Sequence, residues 1–174
     1  MLALNLAKIR TAHERFEQVY QPEQVEQENE AFRMSVPVRL AFDIYKDKDQ
    51  FRLAGSVQTE LELDCSRCTE PFRTPVDANF DLRYQPHTEN VGEGEREVEE
   101  DDLTTAFYEN DTIDLGQLMR EQFYLALPMK PLCSEVCEGL CPQCGTNLNR
   151  GTCTCTREWE DPRFAALKAL KGDS

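Results

Sequence analysis

The spacing of eight cysteines constrains the fold of this 174-residue chain more than any other feature. They form four pairs along the chain: Cys65 and Cys68, Cys133 and Cys137, Cys141 and Cys144, and Cys153 and Cys155. A gap of two residues lets one turn direct two sulfurs at the same metal ion, and eight thiolates are the number that two tetrahedral sites with four cysteine ligands each require. The pattern therefore predicts structural Zn²⁺, in one or two sites.

The four pairs can be joined in two ways. In the first partition, the two earlier pairs form site 1 and the two later pairs form site 2, a compact finger. In the rival partition, the second and third pairs share one metal, and the first pair shares the other with the fourth. Short loops close at a lower entropic cost, which favours the first partition. Gly145, directly after the third pair, supplies the permissive backbone that such a turn requires.

Other uses of the cysteines are less consistent with the sequence. The first ten residues do not resemble a secretory signal, so we expect a cytoplasmic, reducing environment in which disulfides rarely persist. A redox pair at Cys65 and Cys68 would be expected between a strand and a helix, whereas this pair ends a predicted antiparallel strand. An iron–sulfur cluster is chemically allowed, but the even pairing favours zinc.

The residues from about 32 to 84 predict an antiparallel β-meander. Apolar and polar side chains alternate over residues 34–45 and 51–64, and less regularly over 72–84, with short polar connections between the runs. Helical spacing replaces this alternation over residues 114–127, with Asp114 as the N-cap. We expect this helix to cover the apolar face of the meander, which makes the fold class α+β.

This pattern predicts two parts of the chain. Residues 1–130 form the α+β domain, and residues 131–174 form a cysteine-rich, zinc-binding module that packs on it and ends in a short helix over 161–170. The first thirty residues are weakly patterned: Leu2 to Leu6 fit an edge strand, and Arg15 to Tyr20 fit either a strand or a helix.

Charge is distributed unevenly along the chain. The net charge is -14, and residues 89–111 hold ten acidic side chains against one basic side chain. We expect the acidic segment at about 88–102 to be a solvated, mobile loop. Such acidity argues against a simple nucleic-acid-binding domain, because phosphate contacts depend on Lys and Arg. The segment itself is either a solubilising insertion or a docking site for a cation-rich partner.

Catalysis and membrane insertion are not expected. The chain has two histidines, His13 and His87, and neither lies beside a cysteine pair. Sites made only of cysteine are normally closed and structural, and no phosphate loop, nucleophile elbow or zinc-protease motif is present. We therefore predict that the protein is not an enzyme and has no small-molecule substrate. No apolar run approaches the roughly 20 residues that a membrane span needs.

The order of these features resembles the YceD family, the large ribosomal RNA subunit accumulation proteins. The resemblance depends on the run from Leu63 to Phe72, the acidic middle segment, the helix that ends Ala126-Leu-Pro128, and above all Cys137-Glu-Gly-Leu-Cys-Pro-Gln-Cys-Gly-Thr-Asn-Leu-Asn149. It implies a bacterial cytoplasmic protein, with plastid relatives, that is needed for 23S rRNA accumulation and large-subunit assembly. It implies the cysteine set and no catalytic residue.

Two modes of action follow from this resemblance. The first is a non-enzymatic factor that binds a basic ribosomal protein or a large-subunit precursor through its acidity. The alternative is a zinc protein that binds rRNA directly through a polar and basic face, although the same residues can equally be solvated turn residues. The candidate contact residues are Arg67, Lys130, Asn147, Asn149, Arg150 and Arg157.

Overall fold

The computed structural model describes residues 2–25, 31–86 and 105–155. Its strands are β1 (Ala3–Asn5), β2 (His13–Tyr20), β3 (Arg33–Met34), β4 (Val38–Asp47), β5 (Gln50–Asp64), β6 (Pro71–Pro86), β7 (Thr105–Tyr108) and β8 (Thr112–Asp114). The α-helix is α1 (Leu115–Ala126), and short 3₁₀ turns span Leu6–Lys8 and Pro22–Gln24. The predicted loop at 88–102 and the predicted helix at 161–170 lie outside the described residues.

The predicted meander forms the centre of a six-stranded sheet. Five of its strands follow the order β2-β4-β5-β6-β7, and the sixth, β3, pairs with β5. β4 and β5 pair in antiparallel fashion around a turn at Lys48 and Asp49. Ion pairing of Arg52 with Asp81 and hydrogen bonding of Gln58 to Asp77 show that β5 and β6 also run in opposite directions. The alternation along the sequence therefore predicted these three strands correctly.

The first predicted run, at 34–45, is divided in two. β3 pairs with β5 at Leu61 and Glu62, while β4 begins at Val38 and pairs with β5 further along. Pro37 lies in the break, and its missing N–H cannot contribute to a strand ladder. Its carbonyl oxygen instead accepts a hydrogen bond from Thr59 Oγ1 at 3.4 Å.

The sheet is mixed, because β7 pairs parallel to β6. Arg83 lies opposite Thr105, and Pro86 lies opposite Tyr108. A parallel return needs a connection of a dozen or more residues, and the chain between Pro86 and Thr105 is long enough to provide it. The expectation of a purely antiparallel arrangement is correct for the meander but does not extend to this edge strand.

The weakly patterned N-terminus contributes strands and no α-helix among the described residues. β1 pairs with β8, and β2 pairs along its whole length with β4. Phe16 of β2 stacks on Phe42 of β4, with ring centroids 5.1 Å apart. This cross-strand contact lies between residues distant in sequence, which is why local pattern left the choice at Arg15–Tyr20 open.

The hydrophobic core follows the predicted faces. β4 buries Val38, Leu40, Phe42 and Ile44, at most 2% exposed. The side chain of Asp114 caps α1 by accepting hydrogen bonds from the backbone N–H groups of its first turn.

The helix α1 buries the apolar side chains of Leu115, Leu118, Met119 and Phe123, which follow helical spacing. Gln122 is buried, whereas Ala126 is exposed. Phe123 of α1 meets Phe32 edge-on, with centroids 5.8 Å apart. That the helix covers the apolar face of the meander stays a prediction. Among the described residues, no helix combines the length and apolar character that crossing a membrane requires.

The described residues fall into two compact units. The first comprises residues 2–63 and 73–129, and contains the sheet and α1. The second comprises residues 64–72 and 130–155, and contains all eight cysteines. The loop between β5 and β6 therefore belongs with the cysteine-rich unit, in addition to the C-terminal residues assigned to it from the sequence. That one unit packs on the other stays a prediction.

Candidate metal centres

The first group of cysteine sulfurs has the dimensions of a tetrahedral metal site. Cys65, Cys68, Cys133 and Cys137 place their Sγ atoms within 4.8 Å of one another. Cys65 Sγ lies 3.8 Å from Cys137 Sγ, and Cys68 Sγ lies 3.7 Å from Cys133 Sγ. A tetrahedron with Zn–S bonds of about 2.3 Å has edges of about 3.8 Å. The donor set and its spacing therefore fit Zn²⁺. We call this group cluster 1.

The second group consists of Cys141, Cys144, Cys153 and Cys155, whose Sγ atoms also lie within 4.8 Å of one another. We call it cluster 2. All eight cysteines are free thiols in the structure. The two clusters group the pairs as in the first partition, and each can hold a metal ion. That the ion is zinc stays a prediction.

In cluster 1 the backbone turns sharply between Cys65 and Cys68. The N–H of Cys65 donates to the carbonyl of Glu70 at 3.0 Å, and the N–H of Thr69 donates to the carbonyl of Cys65 at 2.9 Å. Thr69 lies in the left-handed region, with φ of 58°. This turn occupies the loop between β5 and β6, so the end of a hairpin supplies two of the four sulfurs.

Cluster 2 repeats this turn with different residues. The N–H of Cys141 donates to the carbonyl of Thr146 at 2.8 Å, and the N–H of Gly145 donates to the carbonyl of Cys141 at 2.9 Å. Gly145 has φ of 73° and occupies the position equivalent to Thr69. The two turns therefore share one backbone form, which directs both sulfurs of a pair to the same side.

In each cluster the chain itself stabilises at least one thiolate. Burial raises the pKa of Cys65, but the backbone N–H groups of Cys133, Cys68 and Arg67 outweigh burial and bring the pKa to about 6. The Thr146 hydroxyl, 3.1 Å from the Cys144 sulfur, lowers the pKa of Cys144 to about 6, together with the Thr146 backbone N–H.

A second thiol in each cluster is shifted the other way. Desolvation and the neighbouring cysteine sulfurs raise the pKa of Cys133 to about 12. The sulfur of Cys144 and desolvation raise the pKa of Cys155 to about 12. Crowded thiols resist a further negative charge when no cation is nearby. A divalent ion would offset this repulsion, and thiolate ligands are the form that metals bind.

Cluster 1 also forms the core of the second unit. Among the described residues of that unit, the only buried hydrophobic side chains are those of Cys65, Cys68, Cys137 and Cys141. Three partly buried side chains pack around cluster 1: Phe72, Leu132 and Leu140. A unit with so little buried apolar surface depends on cross-links through its cysteines. Four cysteines around one ion would leave no open position for a substrate, so such a centre is structural.

Asn149 links the turn of cluster 2 to cluster 1. Its Nδ2 donates to Cys137 Sγ at 3.3 Å, and its Oδ1 accepts from the backbone N–H of Glu138 at 2.8 Å. The N–H of Leu148 also donates to the carbonyl of Gly139 at 2.9 Å. Asn149 thus acts as a hydrogen-bond donor to a ligand sulfur and as a positioning residue for the cysteine loop.

Arg67 and Gly139 hold the two loops of cluster 1 together. Arg67 Nη1 donates to the carbonyl of Cys137 at 2.8 Å, and the Arg67 carbonyl accepts from the N–H of Leu140 at 3.1 Å. Gly139 has φ of 77°, and a Cβ there would lie 3.0 Å from the Arg67 carbonyl oxygen. Sequence analysis missed Gly139, although a glycine two residues after a ligand is itself a signal for a tight turn.

The structure gives most of the predicted contact residues partners within the second unit. Arg150 Nη2 lies 2.6 Å from Glu70 Oε2, and Asn147 Nδ2 lies 3.3 Å from Glu70 Oε1. Lys130 is exposed and makes no hydrogen bond or ion pair within the described part of the chain. Arg157 lies outside that part. Glu70 as a shared acceptor was not anticipated, and contact of these residues with RNA stays a prediction.

The one described histidine belongs to the first unit, whereas all eight cysteines belong to the second. His13 Nε2 is 2.8 Å from Asp43 Oδ1, and its ring stacks on Tyr45 with centroids 4.8 Å apart. His87 lies outside the described residues. Each cluster is thus composed of sulfur ligands among the residues that the structure describes.

Comparison with known proteins identifies the family. Residues 53–171 match the family described as Large ribosomal RNA subunit accumulation protein YceD. The chain belongs to the YceD family. The matched region contains α1 and all eight cysteines, whereas β1 to β4 precede it. No solved structure is significantly similar to the chain.

Three relatives illustrate the range of YceD-related proteins. A chloroplast protein of Arabidopsis thaliana, Large ribosomal RNA subunit accumulation protein YCED homolog 1, is 28% identical over 78% of this chain and 49% of its own length. Bacillus subtilis YlbN is 30% identical over 83% of this chain and 81% of its own length. Haemophilus influenzae YceD is 30% identical over 49% of this chain and 48% of its own length.

The chain spans about half the length of the chloroplast relatives, 49% in Arabidopsis thaliana and 53% in Zea mays. The YceD proteins among these relatives are named as accumulation factors, and their names describe no reaction.

Proposed function

We infer that this protein is a non-enzymatic factor required for 23S rRNA accumulation and large ribosomal subunit biogenesis in the bacterial cytoplasm. It is stabilised by structural zinc and acts by binding a basic ribosomal protein or a large-subunit precursor. The observation that carries this proposal is the match of residues 53–171 to a family named for accumulation of the large ribosomal RNA subunit. That region includes both cysteine clusters.

The donor chemistry supports a structural role for zinc. Cluster 1 and cluster 2 each offer four cysteine sulfurs, and sulfur separations of 3.7 and 3.8 Å in cluster 1 suit a tetrahedral ion. Zn²⁺ bound in cluster 1 would cross-link chain segments distant in sequence, Zn²⁺ bound in cluster 2 would close a short loop, and neither ion would supply a reaction. The residues around it orient the sulfurs through backbone N–H groups and Asn149.

Charge supports a basic protein as the partner. The chain carries 33 acidic and 19 basic side chains, and ten of the acidic ones fall within residues 89–111. A field of this sign speeds the approach of cationic proteins and repels bare phosphate backbones. Ribosomal precursors offer basic proteins together with RNA, so the acidity favours recognition through the protein component.

A genetic complementation experiment tests the proposed function. In a bacterial strain that lacks this protein, we expect a lower ratio of 23S to 16S rRNA and fewer large subunits, with both restored by the wild-type chain. The double variant Cys65→Ser and Cys68→Ser removes two sulfurs of cluster 1 and should fail to restore the ratio. Ser66→Ala is the matched control, because it alters the same turn without removing a sulfur.

Two outcomes would contradict parts of this proposal. An unchanged 23S to 16S ratio in the strain without the protein would remove the function itself. Full restoration by the double cysteine variant, at a protein level equal to wild type, would show that cluster 1 is dispensable for the function. Immunoblotting of each strain supplies the protein level needed for this comparison.

A further inference from the structure

A cavity in the first unit is not used by the cysteine clusters. It has a volume of about 550 Å³ and is lined by the end of β6, by β7 and β8, and by α1. Its walls carry the aromatic side chains of Tyr84, Phe107 and Tyr108 and the carboxylates of Glu109, Asp114 and Glu121. None of the described residues that line it is cationic.

Tyr84 presents a polar atom that lacks a partner. Its residue surface is only 7% exposed, and within the described part of the chain its hydroxyl makes no hydrogen bond. Burial raises the pKa of Tyr84, and the charges of Glu121 and Asp114 raise it further, so the hydroxyl is neutral at physiological pH. No fully buried side-chain polar atom in the described part of the chain lacks a partner, so this hydroxyl opens into the cavity, where a ligand can hydrogen-bond to it.

The carboxylates around Tyr84 also lack a cationic partner within the described residues. Glu121 accepts a hydrogen bond from Gln117 Nε2 at 2.9 Å, and Asp114 accepts from the backbone N–H groups of Gly116 and Gln117. The Glu109 carboxylate makes neither a hydrogen bond nor an ion pair among the described residues. Three carboxylates around a partly enclosed volume create a negative potential that attracts a cation.

We propose that this cavity binds a lysine or arginine side chain from a basic protein segment. The Tyr84 hydroxyl accepts a hydrogen bond from the cationic N–H group, the carboxylates of Glu109 and Glu121 balance the charge, and the aromatic walls contact the aliphatic stem. The proposal rests on the proposed function and names a docking point for its basic partner. A protein is favoured over RNA because the same carboxylates repel phosphate.

A peptide titration of the purified full-length protein tests this proposal. The probe is a capped hexalysine peptide, titrated by calorimetry and by backbone NMR shifts of the ¹⁵N-labelled chain. We expect Glu121→Gln and Tyr84→Phe each to weaken binding by about fivefold, the size of one lost hydrogen bond or partial ion pair. In the wild type, peptide-induced shifts should concentrate at residues 84 and 106–121.

Glu17→Gln is the matched control. It removes the same charge from β2, at the opposite edge of the sheet from β7, and Glu17 does not line the cavity. Its affinity should equal that of the wild type. Hexalysine with acetylated side chains should not produce the shifts, because it lacks the cation. Near-UV circular dichroism establishes that each variant is folded.

Several results would overturn the proposal. One such result is that Glu17→Gln weakens peptide binding as much as Glu121→Gln does. Another is that the single variants Tyr84→Phe and Glu121→Gln both bind the peptide with wild-type affinity. A third is that the acetylated peptide produces the same NMR shifts as hexalysine. Shifts at the cavity from a single-stranded RNA of equal length, and not from hexalysine, would assign the site to RNA instead. The titration measures binding alone, so it can fail while 23S rRNA still depends on this protein, or succeed when it does not.

Discussion

Tyr84 illustrates, at the scale of a single residue, how surroundings change the chemistry of a side chain. An exposed tyrosine ionises near pH 10, whereas burial and the charges of Glu121 and Asp114 raise the pKa of Tyr84. The folded protein therefore keeps this phenol neutral in a pH range where the unfolded chain releases its proton. Because of that difference, the free energy of unfolding depends on whether the Tyr84 phenol keeps its proton.

The coupling predicts a loss of stability at alkaline pH. Because the folded pKa is raised, the contribution of Tyr84 is fully present below pH 10 and decreases as the pH rises above it. At about one pH unit above the unfolded value, the loss amounts to about 1.4 kcal/mol. Urea unfolding of the wild type and of Tyr84→Phe at pH 8, 10 and 11 measures it.

The phenylalanine variant cannot ionise at this position, so its free energy of unfolding should fall less steeply between pH 10 and 11. Some dependence will remain, because burial also raises the pKa of Tyr20 and Tyr108. Identical slopes for the two proteins would show that the Tyr84 environment does not favour the neutral phenol.

At the scale of elements, the two cysteine turns repeat one backbone form with different residues at the strained position. Thr69 and Gly145 both have positive φ, 58° and 73°, and both donate to the carbonyl of the first cysteine of their pair. Glycine adopts this region without steric cost, whereas a β-branched residue does not. Thr69 is held there while its hydroxyl donates to the Cys68 carbonyl at 2.7 Å.

The repeated turn predicts the effect of a β-branched residue in cluster 2. A Cβ on Gly145 would have no atom within 4 Å, so the main cost of Gly145→Val is the backbone strain of a β-branched residue at positive φ. We expect it to destabilise the turn by about 1–2 kcal/mol. Gly145→Asn is the control, since asparagine tolerates the left-handed region better. Thermal unfolding of the metal-loaded proteins measures the difference, and equal stability of the two variants would contradict the role given to φ.

At the scale of the whole molecule, the two units are stabilised by different means. The first unit buries Leu40, Leu53, Val57 and Leu61 to 0% exposure, while the buried hydrophobic residues described in the second unit are cysteines. An apolar core retains its stability without a metal, but crowded thiols do not form a comparable core. The two units should therefore respond differently when metal is removed.

This contrast predicts the outcome of chelation. The purified protein should contain two zinc ions per chain, and chelator should abolish hydrogen-exchange protection in residues 64–72 and 130–155 while protection in β4 and the first part of β5 persists. Restoring zinc should restore protection. Retention of protection in the second unit after complete metal removal would contradict the assignment of the clusters as its core. Simultaneous loss throughout the chain would contradict the independence of the first unit.

Local pattern predicted much of the architecture, and particular residues show where it stopped. Period-two alternation identified β4, β5 and β6, and Asp114 was identified as the cap of α1, because both signals lie within a few neighbouring residues. The parallel pairing of β7 escaped prediction, since four residues from Thr105 to Tyr108 carry no signal for a partner. The break between β3 and β4 at Pro37 was not predicted, although a proline has no N–H to donate within a strand.

In the candidate sites, too, the sequence indicated local features but not contacts between distant residues. The pairing of cysteines two to four positions apart is a local property, so the sequence alone indicated which sulfurs meet within each pair. It could only favour one way of joining the turns to each other. The partners of Arg67, Asn149 and Arg150 were not predictable, because each contact joins residues separated by many positions along the chain.

The sequence by itself determined where the three meander strands, α1 and the cysteine turns form, because those depend on local geometry and on the spacing of apolar side chains. The tertiary structure alone decided that Glu70 receives Arg150 and Asn147, and that Tyr84 lies among carboxylates beside α1. Such contacts depend on the packing of distant segments, and packing is a property of the entire folded chain. For that reason the cysteine spacing could favour one grouping of the sulfurs, while the cavity was visible only after folding placed its walls together.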